Sequence, residues 1–164
     1  MKINGRDRVG LYSDIFVLPR PANQGGDVVF KLVAILDYTE FETLCPLPKP
    51  KMKINHKGER VADEKDKGYA AQMEEYASNR FNWLIITTLR DTPGLEWSKV
   101  NPSSPGTWKE WTDELKDFGL TPVEINLLTA KVMEVNSLTT DKMLEARERF
   151  LALAEMAKNS ESST

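Results

Sequence analysis

The chain has 164 residues, 40% of them hydrophobic and 29% charged, with 22 Lys and Arg against 25 Asp and Glu. This length and balance suit one compact domain with a modest appendage, and they exclude a chain too polar to bury a core. The formal net charge of −3 argues against a nucleic-acid binder, which concentrates positive charge because phosphate neutralisation supplies most of its affinity.

Cys45 is the single cysteine, so an intramolecular disulfide framework is ruled out and a reducing compartment is expected. The N-terminal MKINGRDRVG lacks the apolar centre of a signal peptide, and no run approaches the ~18 apolar residues of a membrane span. These features predict a cytoplasmic protein that does not enter a membrane.

The first third reads as strands and turns. Residues 14–18 form a short apolar run closed by Pro19-Arg20-Pro21, and Asn23-Gln24-Gly25-Gly26 follows as a turn. Residues 27–36 (DVVFKLVAIL) are β-branched and apolar and too short for a typical helix, which predicts a strand. A strand pair alone is marginal in water, so it must find a helix or further strands. Asp37 is placed to cap a short helix over residues 39–44, ended by Cys45-Pro46. Pro46, Pro48 and Pro50, interleaved with lysines, then impose an extended segment, followed by a polar turn around Gly58.

From about residue 63 the pattern becomes helical. Tyr69, Met73, Tyr76, Arg80 and Trp83 recur at three- and four-residue spacing, which predicts a helix over residues 63–90 with its second half buried on most sides. After the loop at 101–106, Thr107 is expected to cap a helix running to Phe118, with Gly119 as its stop. Thr121-Pro122-Val123-Glu124 carries a capping box with proline at the first helical position, and Ile125, Leu128, Val132 and Val135 form the apolar face. Thr139 or Thr140 caps the last helix, whose stripe holds Leu144, Arg147, Leu151 and Ala154 with Phe150 beside it. The expected fold is α+β, mostly α: a β-containing part at 1–45, a Pro/Lys-rich linker or arm at 46–62, a bundle of about four helices at 63–157, and a disordered tail at 158–164.

Chemistry-bearing residues are sparse. His56 is the only histidine and sits in a polar turn; with one cysteine beside it, the usual zinc sites cannot be assembled. Gly25-Gly26 lacks the phosphate-loop pattern. Adjacent acidic pairs such as Glu74-Glu75 and Asp113-Glu114 do not face one pocket. Neither a catalytic residue, a metal nor a cofactor is expected, and the protein reads as one that works by holding other proteins. Trp97, Trp108 and Trp111 cluster around the proline loop, and Tyr38 and Phe41 share helical spacing with Leu44. These five aromatics are the candidate partner-binding residues, since tryptophan is favoured at interface hot spots. The structural alternative is that the tryptophans pin the loop to the bundle. The Pro/Lys arm is either a recognition segment or a tether.

The segments FVLPRP and VVFKLVAILDYTEFETLCPLPKP, then TLRDTPGLEWSKV, TWKEWTDELKDFGLTPVEINLLTAKVMEVNSLT and DKMLEARERFLA, follow one another in a familiar cadence. Over most of residues 14–153 it resembles the tail assembly chaperones of tailed bacteriophages. The motifs that carry the likeness are helix caps and hydrophobic positions. The resemblance implies a protein of the host cell cytoplasm that binds the tape measure protein, and tail tube subunits with it, during tail assembly; a homo-oligomer is left open. The competing expectations are a structural or accessory tail or neck protein of the virion, and a non-enzymatic host adaptor.

Overall fold

The chain folds with the mostly helical α+β architecture expected of it, in a computed structural model that describes residues 1–137 and 140–161, with side chains at 1–137 and 141–156. Strands β1 (Ser13–Leu18) and β2 (Val28–Val33) pair antiparallel, with Phe16 opposite Phe30 and Leu18 opposite Val28. Between them, Gly25 and Gly26 take φ of 95° and 76°, left-handed values that a side chain would resist. Alternate side chains of a strand point to opposite faces. Leu18, Phe30 and Leu32 are accordingly buried, while Ile15, Val17 and Val29 face outward and stay exposed. The inward face packs on α4 (Pro122–Asn136), the cover that a strand pair needs.

Helix α1 (Thr39–Leu44) begins where the Asp37 carboxylate accepts hydrogen bonds from the Thr39 N–H and hydroxyl, at 2.9 and 2.6 Å. Residues 46–62, expected as linker or arm, carry a small hairpin of β3 (Met52–Ile54) and β4 (Arg60–Ala62), with Gly58 in its turn. Helix α2 (Lys67–Thr88) starts later than residue 63 because Asp66 takes the cap, its carboxylate accepting from the Tyr69 N–H at 3.0 Å. Asp63 is engaged in the arm instead: its N–H donates to the Lys51 carbonyl, and its carboxylate meets Lys53 Nζ at 2.7 Å. Five consecutive residues of α2, from Asn82 to Ile86, are buried, so its second half runs through the middle of the molecule.

The helix expected from Thr107 is divided. Residues Pro105–Glu110 form a 3-10 segment, and α3 (Trp111–Phe118) follows, ended by Gly119 at φ 111°. Thr107 is occupied by the loop before it. Its hydroxyl donates to the Ser104 carbonyl at 2.8 Å and accepts from the Asn101 N–H at 2.9 Å. Helix α4 opens on the expected capping box: Thr121 accepts from the Glu124 N–H at 3.3 Å, and Glu124 accepts from the Thr121 N–H at 2.8 Å. Ile125, Leu128, Val132 and Val135 form its buried stripe.

Helix α5 (Thr140–Glu161) departs from the expected bundle. The stripe expected to pack against the other helices is largely uncovered: Leu144, Arg147 and Leu151, with Phe150 beside them, are exposed and Ala154 is half-buried. Met143, Leu153 and Met156 outside that stripe are exposed too. Helix α4 packs on β1, β2, α2 and α3 through its buried stripe, while Val123, Leu127 and Met133 on its other side are exposed. The α5 backbone continues through Glu161, into the stretch expected as a disordered tail from residue 158; residues 162–164 and Thr139, one of the two expected caps, lie outside the described residues.

Candidate protein-binding surfaces

The structure packs all five aromatics singled out in the sequence in or against one core and buries three of them. Phe41, Trp108 and Trp111 belong to the core, and Tyr38 is half-buried against it. Tyr38 and Phe41 pack on Trp83 with ring centroids 5.4 and 5.5 Å apart, and Phe41 also meets Trp108 at 6.2 Å. Such tilted aromatic pairs stabilise beyond their area by about 0.5–1.5 kcal/mol each. The Arg80 guanidinium lies 5.2 Å over the Tyr38 ring, which explains a charged residue on the apolar stripe of α2.

The Trp108 and Trp111 indoles also have a polar task, whereas the buried Trp83 Nε1 meets no hydrogen-bond acceptor. Trp108 Nε1 donates to the carbonyls of Asn101 and Pro102, both at 3.1 Å, and so fixes the proline loop. Trp111 Nε1 donates to Asn82 Oδ1 at 2.9 Å. The placement of Phe41, Trp108 and Trp111 is thus that of the structural alternative, and none of the three can meet a partner without opening the core.

Trp97 is placed differently. It is half-buried in the wall of a groove of about 470 Å³ between β2 and α3, lined by Val29, Leu95, Leu115 and Phe118 among others. Phe118 is 68% exposed at its mouth. The Glu114 carboxylate forms the floor of the adjoining loop, accepting from the N–H groups of Ser98, Lys99 and Val100 at 2.7, 2.5 and 2.7 Å. Burial alone would raise the pKa of Glu114; the three N–H donors outweigh it and hold the carboxyl below its usual range. Negative charge at the groove is therefore fixed in place.

The surface that the aromatic search missed is α5. Its first turn is anchored: Lys142 Nζ lies 3.1 Å from the Glu134 carboxylate and 4.6 Å over the Tyr12 ring. Glu134 in turn meets Lys131, which pairs with Asp14 of β1 at 2.7 Å. Beyond that turn the helix extends about 30 Å at 1.5 Å per residue. Met143, Ala146, Phe150, Leu153 and Ala154 fall on one side at three- and four-residue spacing, with Phe150 70% exposed. Arg147 and Arg149 flank that stripe, and Glu145, Glu148 and Glu155 occupy the far side. The stripe read from the sequence, Leu144, Arg147, Leu151 and Ala154 with Phe150 beside it, shares only Phe150 and Ala154 with this exposed side.

Groups suited to bond-making are scattered. Cys45 is half-buried; burial pushes its thiol pKa up, Glu75 pushes it further, and a hydrogen bond with Asn79 opposes them only in part. A nucleophilic cysteine needs the opposite shift. Among the described residues no group of three or more His, Cys, Asp or Glu is arranged to hold a metal ion, and no helix is long and apolar enough to cross a membrane. No protein-family model, no curated protein and no solved structure matches the chain.

Proposed function

We propose that this chain is a holding protein of phage tail assembly, a chaperone that covers the tape measure protein, and tail tube subunits with it, in the host cytoplasm until the tail forms around them. The observation that carries this reading is the exposed apolar stripe of α5, whose first turn is tied to α4 by the Lys142–Glu134 ion pair. A tape measure protein is long and helical, with apolar surface that aggregates if left in water. A projecting amphipathic helix meets such a client by helix-to-helix packing, the mode in which anchors recur at three- and four-residue spacing. Fully covering one large apolar side chain contributes about 1.5–3 kcal/mol, so a few of them outweigh the cost of ordering without making release impossible. Many copies along one client then hold it by avidity. The residue cadence that resembles tail assembly chaperones supports the same function, and the scattered titratable groups fit a role without bond-making.

Co-expression with the tape measure protein of the same genome tests the reading. Co-purification with a client kept soluble supports it. A client that stays insoluble without a complex, together with recovery of this chain from purified virions, replaces it with a structural role in the tail.

A further inference from the structure

The arm at residues 46–62 and the groove between β2 and α3 are chemically complementary, and in one molecule both stand open. The arm holds five Lys and Arg against Glu59 alone, whereas the remaining chain holds 17 basic and 24 acidic residues. Within the hairpin, Met52 and Ile54 share one side of β3; Ile54 is 73% exposed and Met52 is exposed beside it. The hairpin's backbone hydrogen bonds run from Asn55 to Glu59 and Gly58 to Asn55 within the arm, and from Asp63, just beyond it, to Lys51. A two-stranded ribbon with two bare apolar side chains is marginal by itself.

The groove presents the counterpart. Its wall is apolar at Val29, Leu95, Trp97 and Phe118, and its charged lining is acidic in balance, with Glu96, Glu114 and Asp117 against Lys99. Residues 91–118, which build most of it, carry six Asp and Glu and three Lys. It also offers a strand edge. The Thr92 hydroxyl accepts from the Lys31 N–H at 3.0 Å and donates to the Lys31 carbonyl at 3.1 Å, so the odd-numbered residues of β2 turn their backbone groups away from β1. Val29 is the next of that row and lies in the groove wall. The same alternation turns the backbone groups of Met52 and Ile54 to the open edge of β3, since Lys51 and Asn55 are the residues bonded across that hairpin.

We propose that the basic arm of one copy docks in the acidic apolar groove of a second copy, with Met52 and Ile54 against Trp97 and Phe118 and β3 alongside the open edge of β2. Charge selects the partner: Lys49 and Lys51 approach Glu96, whereas Lys53 already pairs with Asp63 and Asp117 with Lys99. Each copy has one arm and one groove, so the contact is heterologous and the two halves are separable by substitution. The proposal is independent of the function assigned above.

Sedimentation velocity of the full chain over a concentration series tests it, with Ile54→Glu as the arm variant and Phe118→Glu as the groove variant. Both positions face solvent, and circular dichroism matching the wild type accompanies each; Glu96→Lys replaces Phe118→Glu if that variant unfolds. The expected result is wild-type association that weakens with salt, two variants that remain monomeric where the wild type associates, and a mixture of the two that regains a complex stopping at two copies. A wild type that stays monomeric throughout overturns the proposal. So does association that neither variant changes, which would assign it to the bare stripe of α5, and so does a mixture that forms no complex.

Discussion

Trp111 of α3 donates its indole N–H to the side-chain oxygen of Asn82 at 2.9 Å, inside the core where α2 and α3 meet. Asn82 is a polar residue within the most apolar stretch of the chain, and this bond is the reason the position tolerates it. Asn82→Leu leaves the indole N–H buried without an acceptor, a loss of about 1–3 kcal/mol. Trp111→Ala removes the ring as well and costs about 3–5 kcal/mol. Chemical denaturation of the two variants measures both, and a Trp111→Ala variant as stable as the wild type would return this residue to the list of surface candidates.

Glu114 anchors the strap beside the groove through three backbone N–H groups. Glu114→Ala frees all three. Hydrogen bonds to charged groups contribute about 1.5–3 kcal/mol each at most, and these share one carboxylate, so the expected loss is about 2–3 kcal/mol in total. Faster amide exchange at Ser98, Lys99 and Val100 than in the wild type is the local signature. An unchanged exchange rate there would mean that the strap is held by Trp97 instead.

Glu124 joins the capping box of α4 to the Pro-Arg-Pro segment that follows β1. Arg20 Nη1, from the Pro-Arg-Pro segment, lies 2.7 Å from Glu124. That bond, with the Thr121 N–H, pulls the Glu124 pKa down to about 2 from 4.5. The folded value is depressed, so the stabilisation is present above the unfolded value and is lost as pH falls toward the folded one. The stability gap between wild type and Glu124→Gln is therefore expected to be constant at neutral pH and to close between about pH 4.5 and pH 2. Urea titrations at several pH values read this directly; a gap that persists at the acid end would assign the effect to packing.

Helix α5 should be dispensable to the fold. Phe150→Ser and Leu153→Ser alter side chains that water already reaches, so stability is expected to change by no more than about 0.5 kcal/mol. Client binding is expected to fall sharply in both. A large loss of stability in either variant, followed by denaturant titration, would place the stripe against the body and remove it as a binding surface.

What the sequence disclosed follows from the range of each signal. The Thr121–Glu124 capping box, the Gly25-Gly26 turn and the strand run before residue 36 are local, and the structure reproduces them within a few residues. Thr107 also reads as a cap, yet Asn101 and Ser104 of the preceding loop engage its hydroxyl, a competition that spacing alone does not reveal. Trp97, Trp108 and Trp111 cluster in the chain, but Trp108 packs on Phe41 of α1 and Trp111 bonds Asn82 of α2, partners that lie far away in sequence. For α5, helical period predicted the helix and a stripe of Leu144, Arg147, Leu151 and Ala154, whereas the exposed face that carries the proposal is centred on Met143, Phe150 and Leu153. Which face stays uncovered depends on tertiary packing that spacing does not reveal.

The most direct measurement for the holding role is hydrogen exchange along α5, in the chain alone and in its complex with the co-expressed client. A helix with little packed against it opens readily, so amides over residues 143–156 should exchange fast in the free chain. The account predicts clear slowing over those residues in the complex, with the core around Trp83 and Trp108 unchanged. A complex in which α5 exchanges as it does in the free chain would contradict the account, because the client would then be held elsewhere.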